Sequence, residues 1–152
     1  MKYESFEEVK KLMREYAEAE NMILDIQEEI KGLKIAEQSL REINAVQYSG
    51  MPKGTGSSDR TAEHVCKIID LYENRILNEL LPRIKSIQKK KDMVYLMLQD
   101  LDENERKVME ERYVKKTKWD FIPGRINYSR RQCLRFHNSG MEKLCKAYER
   151  RN

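Results

Sequence analysis

Apolar residues recur every three or four positions along two long stretches of the chain. The first runs from Val9, Leu12, Tyr16, Ala19, Ile23, Ile26, Ile30 and Leu33 to Leu40 and Ile43, which predicts one amphipathic helix ending near Val46. Ser5-Phe6-Glu7-Glu8 supplies a capping box at its start. Gly32 sits inside it at a cost of about 1 kcal/mol relative to alanine. The pattern then breaks over residues 48–60, where Gly50, Gly54 and Gly56, half of the six glycines, fall with Pro52. This stretch has no G-x-x-x-x-G-K-[ST] arrangement and no strand before it, so it is expected to be a helix-to-helix connection and not a phosphate loop. The second stretch starts near Asp59 or Thr61 and passes through Val65, Ile69, Tyr72, Ile76, Leu80, Ile84, Ile87, Val94 and Leu98. Pro82 interrupts it, so a kink or a fresh helix start is expected near Leu81-Pro82. Two seams of matching length predict an all-α chain whose residues 1–100 form a long antiparallel coiled-coil helical hairpin. The seams carry more apolar edge than one hairpin covers, so a homo-oligomer assembled through the long helices is expected.

Residues 101–152 change character. Asp102 and Glu105 make a D-x-x-E capping box for a helix to about Tyr113, with Val108 and Met109 on its inner side. Lys115-Lys116-Thr117-Lys118 reads as a basic turn, and Trp119, Phe121, Ile122 and Ile126 as a compact apolar cluster. Ser129 and Gln132 then form an S-x-x-Q capping box with Tyr128 and Cys133 in the staple positions. Asn127 stands in the turn, where a positive φ is often required and Asn tolerates it. Beyond the cap, Cys133, Phe136 or His137, Gly140, Met141 and Leu144 share an inner face, and Arg130, Arg131, Gln132, Arg135 and Asn138 an outer one. The segments together read as a helix-turn-helix. The first turn of its second helix is the part that enters a major groove. There Arg130, Arg131, Gln132 and Arg135 are the candidates for base edges, arginine pairing with guanine and glutamine with adenine for about 1–3 kcal/mol each. Lys115, Lys116, Lys118, Arg125 and Ser129 are the candidates for phosphates.

Charge separates the two parts. The whole chain is only +4, but residues 1–50 carry 7 Lys/Arg against 11 Asp/Glu, and residues 101–152 carry 14 against 8. From Arg112 to the end the net charge is +9, the footprint of a terminal nucleic-acid-binding module with duplex DNA as partner. Composition narrows the rest. With 37% charged residues, 6 Gly and 3 Pro, the chain suits long exposed helices and disfavours turn-rich β architectures. Cys66, Cys133 and Cys145 are odd in number and widely spaced, no signal region opens the chain and no run has the ~18 apolar residues of a membrane span. A reduced cytoplasmic protein without membrane contact is expected. His64 with Cys66, and Cys133 with His137, lack the paired spacing of a zinc site, so no metal or cofactor is expected. No nucleophile-base pair, carboxylate pair or phosphate loop is present in the sequence, which argues against an enzyme.

The stretch from Leu101 to Leu144 resembles the C-terminal helix-turn-helix of the sigma-70 family, region 4. The resemblance is carried by Glu105, Val108 and Arg112-Tyr113, then Trp119-Asp120-Phe121-Ile122 and Ile126-Asn127-Tyr128-Ser129, then Gly140-Met141-Glu142-Lys143-Leu144. With the segment Tyr48-Ser49-Gly50-Met51-Pro52 and the helix before it, the chain is similar to small phage- and prophage-encoded transcriptional regulators of the ArpU/RinA type. That likeness implies a regulator of phage late genes acting with the host RNA polymerase. Two positions depart from the pattern: Pro123 and Gly140 each replace an alanine. Proline is acceptable only in a first helical turn, so the scaffold helix must begin near Trp119 or Asp120 or be distorted. Two other readings stand beside this one: a DNA-packaging protein like a small terminase subunit, and a helical scaffold that does not bind DNA.

Overall fold

The structure is a computed structural model that describes residues 3–50 and 57–152. Every regular element among them is helical: α1 (Tyr3–Gly50), α2 (Ser57–Arg75), α3 (Leu81–Gln99), α4 (Glu103–Met109), α5 (Ile122–Ile126) and α6 (Arg130–Arg151). Wider π-helical turns at Ile76–Leu80 and Glu110–Val114 follow α2 and α4. None of the helices described is long and apolar enough to cross a membrane. The helices reach past both edges of the connection expected at 48–60, and its remaining core, residues 51–56, lies outside the described residues. α2 is already formed at Ser57, so Asp59 and Thr61 lie inside it rather than capping it.

The chain divides into two compact units, and the division does not fall at residue 100. One unit comprises residues 21–86. Its buried hydrophobic positions are Ile26, Ile30, Ile69, Ile76 and Leu80, which belong to the two apolar seams, and Ala62, which the seams did not include. Arg75 bonds Glu29 of α1 and, at 2.8 Å, Glu79, while Arg41 holds both Glu37 and Glu73 at 2.9 Å. The π-helical turn explains how Pro82 is tolerated. Proline cannot donate to the carbonyl four residues back and crowds it; here the Leu81 N–H reaches five residues back to the Ile76 carbonyl, and the helix continues through Pro82.

The other unit runs to Glu20 and resumes at Ile87. Its core joins Val9 and Met13 of α1, Val94, Met97 and Leu98 of α3, Leu101, Met109 of α4, and Met141, Leu144, Cys145 and Ala147 of α6. Val9 and Met13, with Phe6, Leu12 and Tyr16 packed against the cluster, therefore bring the start of α1 into the core beneath α6. Ser5 shows the same placement. α1 begins at Tyr3, ahead of the expected cap, and the Ser5 hydroxyl donates instead to Glu149 Oε1 at 2.8 Å.

Candidate nucleic-acid interface

The frame of the candidate interface begins at α4. The Asp102 N–H donates to Glu105 Oε2 at 3.3 Å, which closes the expected capping box, and Val108 and Met109 are fully buried. Glu105, only 5% exposed, accepts from Ser139 Oγ at 2.8 Å and Lys143 Nζ at 3.0 Å, both on α6. Beside this link, a Cβ placed on Gly140 would stand 3.4 Å from Met109 Cγ and 3.5 Å from Glu105 Cβ. Gly140 thus lies where α6 packs against α4.

The π-helical turn after α4 ends with the Lys115 N–H on the Glu110 carbonyl at 2.9 Å, and Lys116 follows with φ 56°. α5 starts at Ile122, later than the expected Trp119 or Asp120, and carries Pro123 in its first turn, where proline's missing N–H costs no helical hydrogen bond. Ile122 is buried, but Phe121 is 63% exposed and does not join the expected apolar cluster. A start at Ile122 leaves Phe121 as the residue before the helix, outside its packed face. Asn127 adopts φ 59°, ψ 40°, and Ser129 Oγ accepts the Gln132 N–H at 3.2 Å, as their residue types predict. The staple differs from expectation. Tyr128 packs edge-on against Phe136, ring centroids 5.1 Å apart, while Cys133 is buried with its thiol toward the Tyr128 carbonyl at 3.8 Å.

α6 buries Cys133, His137, Gly140, Met141 and Leu144. His137, rather than Phe136, takes the inner position. Its Nε2 is 2.8 Å from the Tyr113 hydroxyl, its Nδ1 is 3.3 Å from Asn138 Oδ1, and Trp119 meets it edge-on. Burial pushes the His137 pKa below the usual histidine value, with Lys10 and Arg112 acting in the same direction and Asn138 against it.

The candidate base readers Arg130, Arg131 and Arg135 are exposed along the outer face of α6, with Gln132 half-buried among them. Arg130 reaches Asp120 at 3.2 Å. Arg131, Arg135 and Lys118 make no ion pair among the described residues. The candidate phosphate contacts are less free than the sequence suggests. Lys115 and Arg125 lie 2.8 and 3.7 Å from the carboxylate of Glu111, which also accepts from Thr117 Oγ at 2.9 Å. The hydrogen bond from Lys115 holds the Glu111 carboxyl below the usual carboxylate range, helped by Thr117 and Arg125 and opposed by its burial. Lys116 pairs with Glu18 of α1 at 3.2 Å. Ser129 is committed as acceptor to the helix cap.

Sequence reading missed Glu111, and it found Glu105 as a capping partner but not its link to α6; both acids are buried, and they fix the basic turn and α6. The i,i+4 spacing of Glu111 and Lys115 was the one available signal. Comparison with protein-family models, with curated proteins and with solved structures finds no match for this chain.

Proposed function

We propose that the protein is a sequence-specific transcriptional regulator that binds duplex DNA through a helix-turn-helix. In this reading α5 is the scaffold helix, Asn127 makes the turn and α6 is the recognition helix. The observation that carries it is the two-sidedness of α6: Arg130, Arg131 and Arg135 stand exposed at its N-terminal end while Cys133, His137 and Met141 are buried behind them. A first turn rich in arginine and backed by a packed core suits base-edge contacts in a major groove. Lys118 and Arg125 flank it as phosphate contacts, joined by Lys115 and Lys116 when DNA competes for their surface acids. The likeness to sigma region 4 adds the rest of the proposal: late genes of a phage or prophage as targets, host RNA polymerase as partner, and the cytoplasm as site of action.

The long helices serve assembly in this proposal, as an antiparallel coiled-coil hairpin that self-associates. The Arg75–Glu29 and Arg41–Glu73 pairs between α1 and α2 support the pairing. Leu24, Ile35, Ile43, Leu71 and Leu77, each more than half exposed, supply apolar surface for a second copy.

Selection of bound sequences from random duplex DNA tests the reading. An enriched motif is expected from the native chain, and Arg131→Ala should relax it at one or two positions. Selection without any enriched motif would remove the sequence-specific regulator and favour the packaging protein or the scaffold.

A further inference from the structure

The unit containing α6 has a cavity of about 380 Å³ whose lining carries four cations, Lys10, Arg14, Arg112 and Lys116, and no carboxylate among the described residues. Its volume falls in the range of small-molecule sites. Aromatic side chains complete the wall, with Trp119 and Tyr113 set beside His137. We propose that this cavity is a binding site for an aromatic phosphate of mononucleotide size.

Three observations support that ligand class. First, the cations converge without an acid between them. The Lys10 partner Glu7, at 3.5 Å, and the Lys116 partner Glu18 are exposed acids outside the lining, and Arg14 makes no ion pair among the described residues. Like charges gathered at one concavity repel each other, and a bound anion relieves that cost. Second, the anion site is preorganised. The Arg112 guanidinium donates to the Thr117 carbonyl at 3.3 Å and lies 5.7 Å from the Trp119 ring centroid, so its position is held before any ligand arrives. A guanidinium fixed in this way matches the planar, two-point geometry of a phosphate. Third, the apolar lining consists of rings. An indole, a phenol, an imidazole and the Phe6 ring suit a flat base better than a branched aliphatic group, since every base offers a π face. His137 lines the cavity from the buried side of α6, about 200° around the helix from Arg135 at 100° per residue, so such a ligand does not compete with contacts on the outer face of α6 and shares only Lys116 with the proposed phosphate contacts.

Trp119 is the only tryptophan in the chain and lines this cavity, so its emission is a local reporter of binding there. The full chain would be titrated at fixed ionic strength with adenosine or guanosine monophosphate, with adenosine, and with inorganic phosphate. A saturable change with a mononucleotide is expected, with binding about tenfold weaker for both adenosine and inorganic phosphate. Arg14→Gln should weaken the mononucleotide about tenfold with an unchanged unfolding midpoint, and Lys10→Gln, read in the same way, guards against a folding defect in that variant. The proposal is overturned if neither mononucleotide gives a saturable change, if inorganic phosphate binds as tightly, if only duplex DNA alters the emission, or if both variants bind like the native chain.

Discussion

Glu111 and His137 are buried groups whose ionisation the fold sets in opposite ways. The Glu111 carboxylate is favoured by Lys115, Thr117 and Arg125, so it contributes stability above the unfolded carboxylate value and loses it as the pH falls through its lowered folded value. For His137 the neutral form is the folded one, chiefly through burial, with the bond to Asn138 at Nδ1 opposing the effect and Lys10 and Arg112 adding to it. A histidine with a lowered folded pKa binds more protons when unfolded, so stability should fall as the pH drops below about 6.5. Urea midpoints followed through Trp119 at pH 7.5 and 5.5 measure this, and His137→Phe should flatten the slope between them. An unchanged slope in that variant would assign the titration elsewhere. Arg131 and Lys118 make a second contrast at this scale. Arg131→Ala should lower discrimination between DNA sequences, whereas Lys118→Ala should weaken all DNA alike and reduce the salt slope by about 1. Binding isotherms on matched and scrambled duplexes at several salt concentrations separate the two effects.

Two turns between α4 and α6 place a side-chain-bearing residue at positive φ, and only one of them was legible. Asn127 announced itself because Asn tolerates the left-handed region and a Ser cap follows two residues later. Lys116, at φ 56°, gave no sign, because lysine has no preference for that region and the strain is imposed by the end of the π-helical turn before it. The same backbone demand therefore yields opposite predictions. Asn127→Ile should destabilise the unit by about 1–2 kcal/mol, whereas Lys116→Gly should be neutral or stabilising by up to about 1 kcal/mol, as thermal unfolding would show. Helix starts were readable at Asp102 and Ser129, where short polar side chains satisfy nearby N–H groups. At Ser5 the same signature misled: α1 already exists at Tyr3, and Glu149, 144 residues away in sequence, claims the hydroxyl. Capping chemistry is local and can be outbid by a tertiary partner. Phe121 fails for a related reason, since apolar neighbours in sequence share a cluster only if the helix that follows turns them to one side.

Periodicity identified the long helices and most of their buried positions, yet a seam does not say what covers it. Val9 reads as the opening of the same stripe that continues through Ile26 and Ile30, but it packs, together with Met13, which the stripe did not include, with Met97, Met109, Met141 and Leu144. The apolar stripe of α1 is thus shared between two compact units, and the candidate DNA-binding unit depends on residues more than a hundred positions before its recognition helix. Met13 is 1% exposed. Truncating a buried methionine to alanine removes its transfer energy and leaves a cavity, at a cost of about 2–5 kcal/mol. Met13→Ala should therefore shift the unfolding transition reported by Trp119 to lower urea and weaken DNA binding at 37 °C, although it touches no candidate contact residue. Ile35→Ala, at an exposed position of the other unit, should leave that transition in place. If the unit containing α6 were instead closed within residues 101–152, Met13→Ala would leave the Trp119 transition where it was, and that fragment alone would unfold cooperatively.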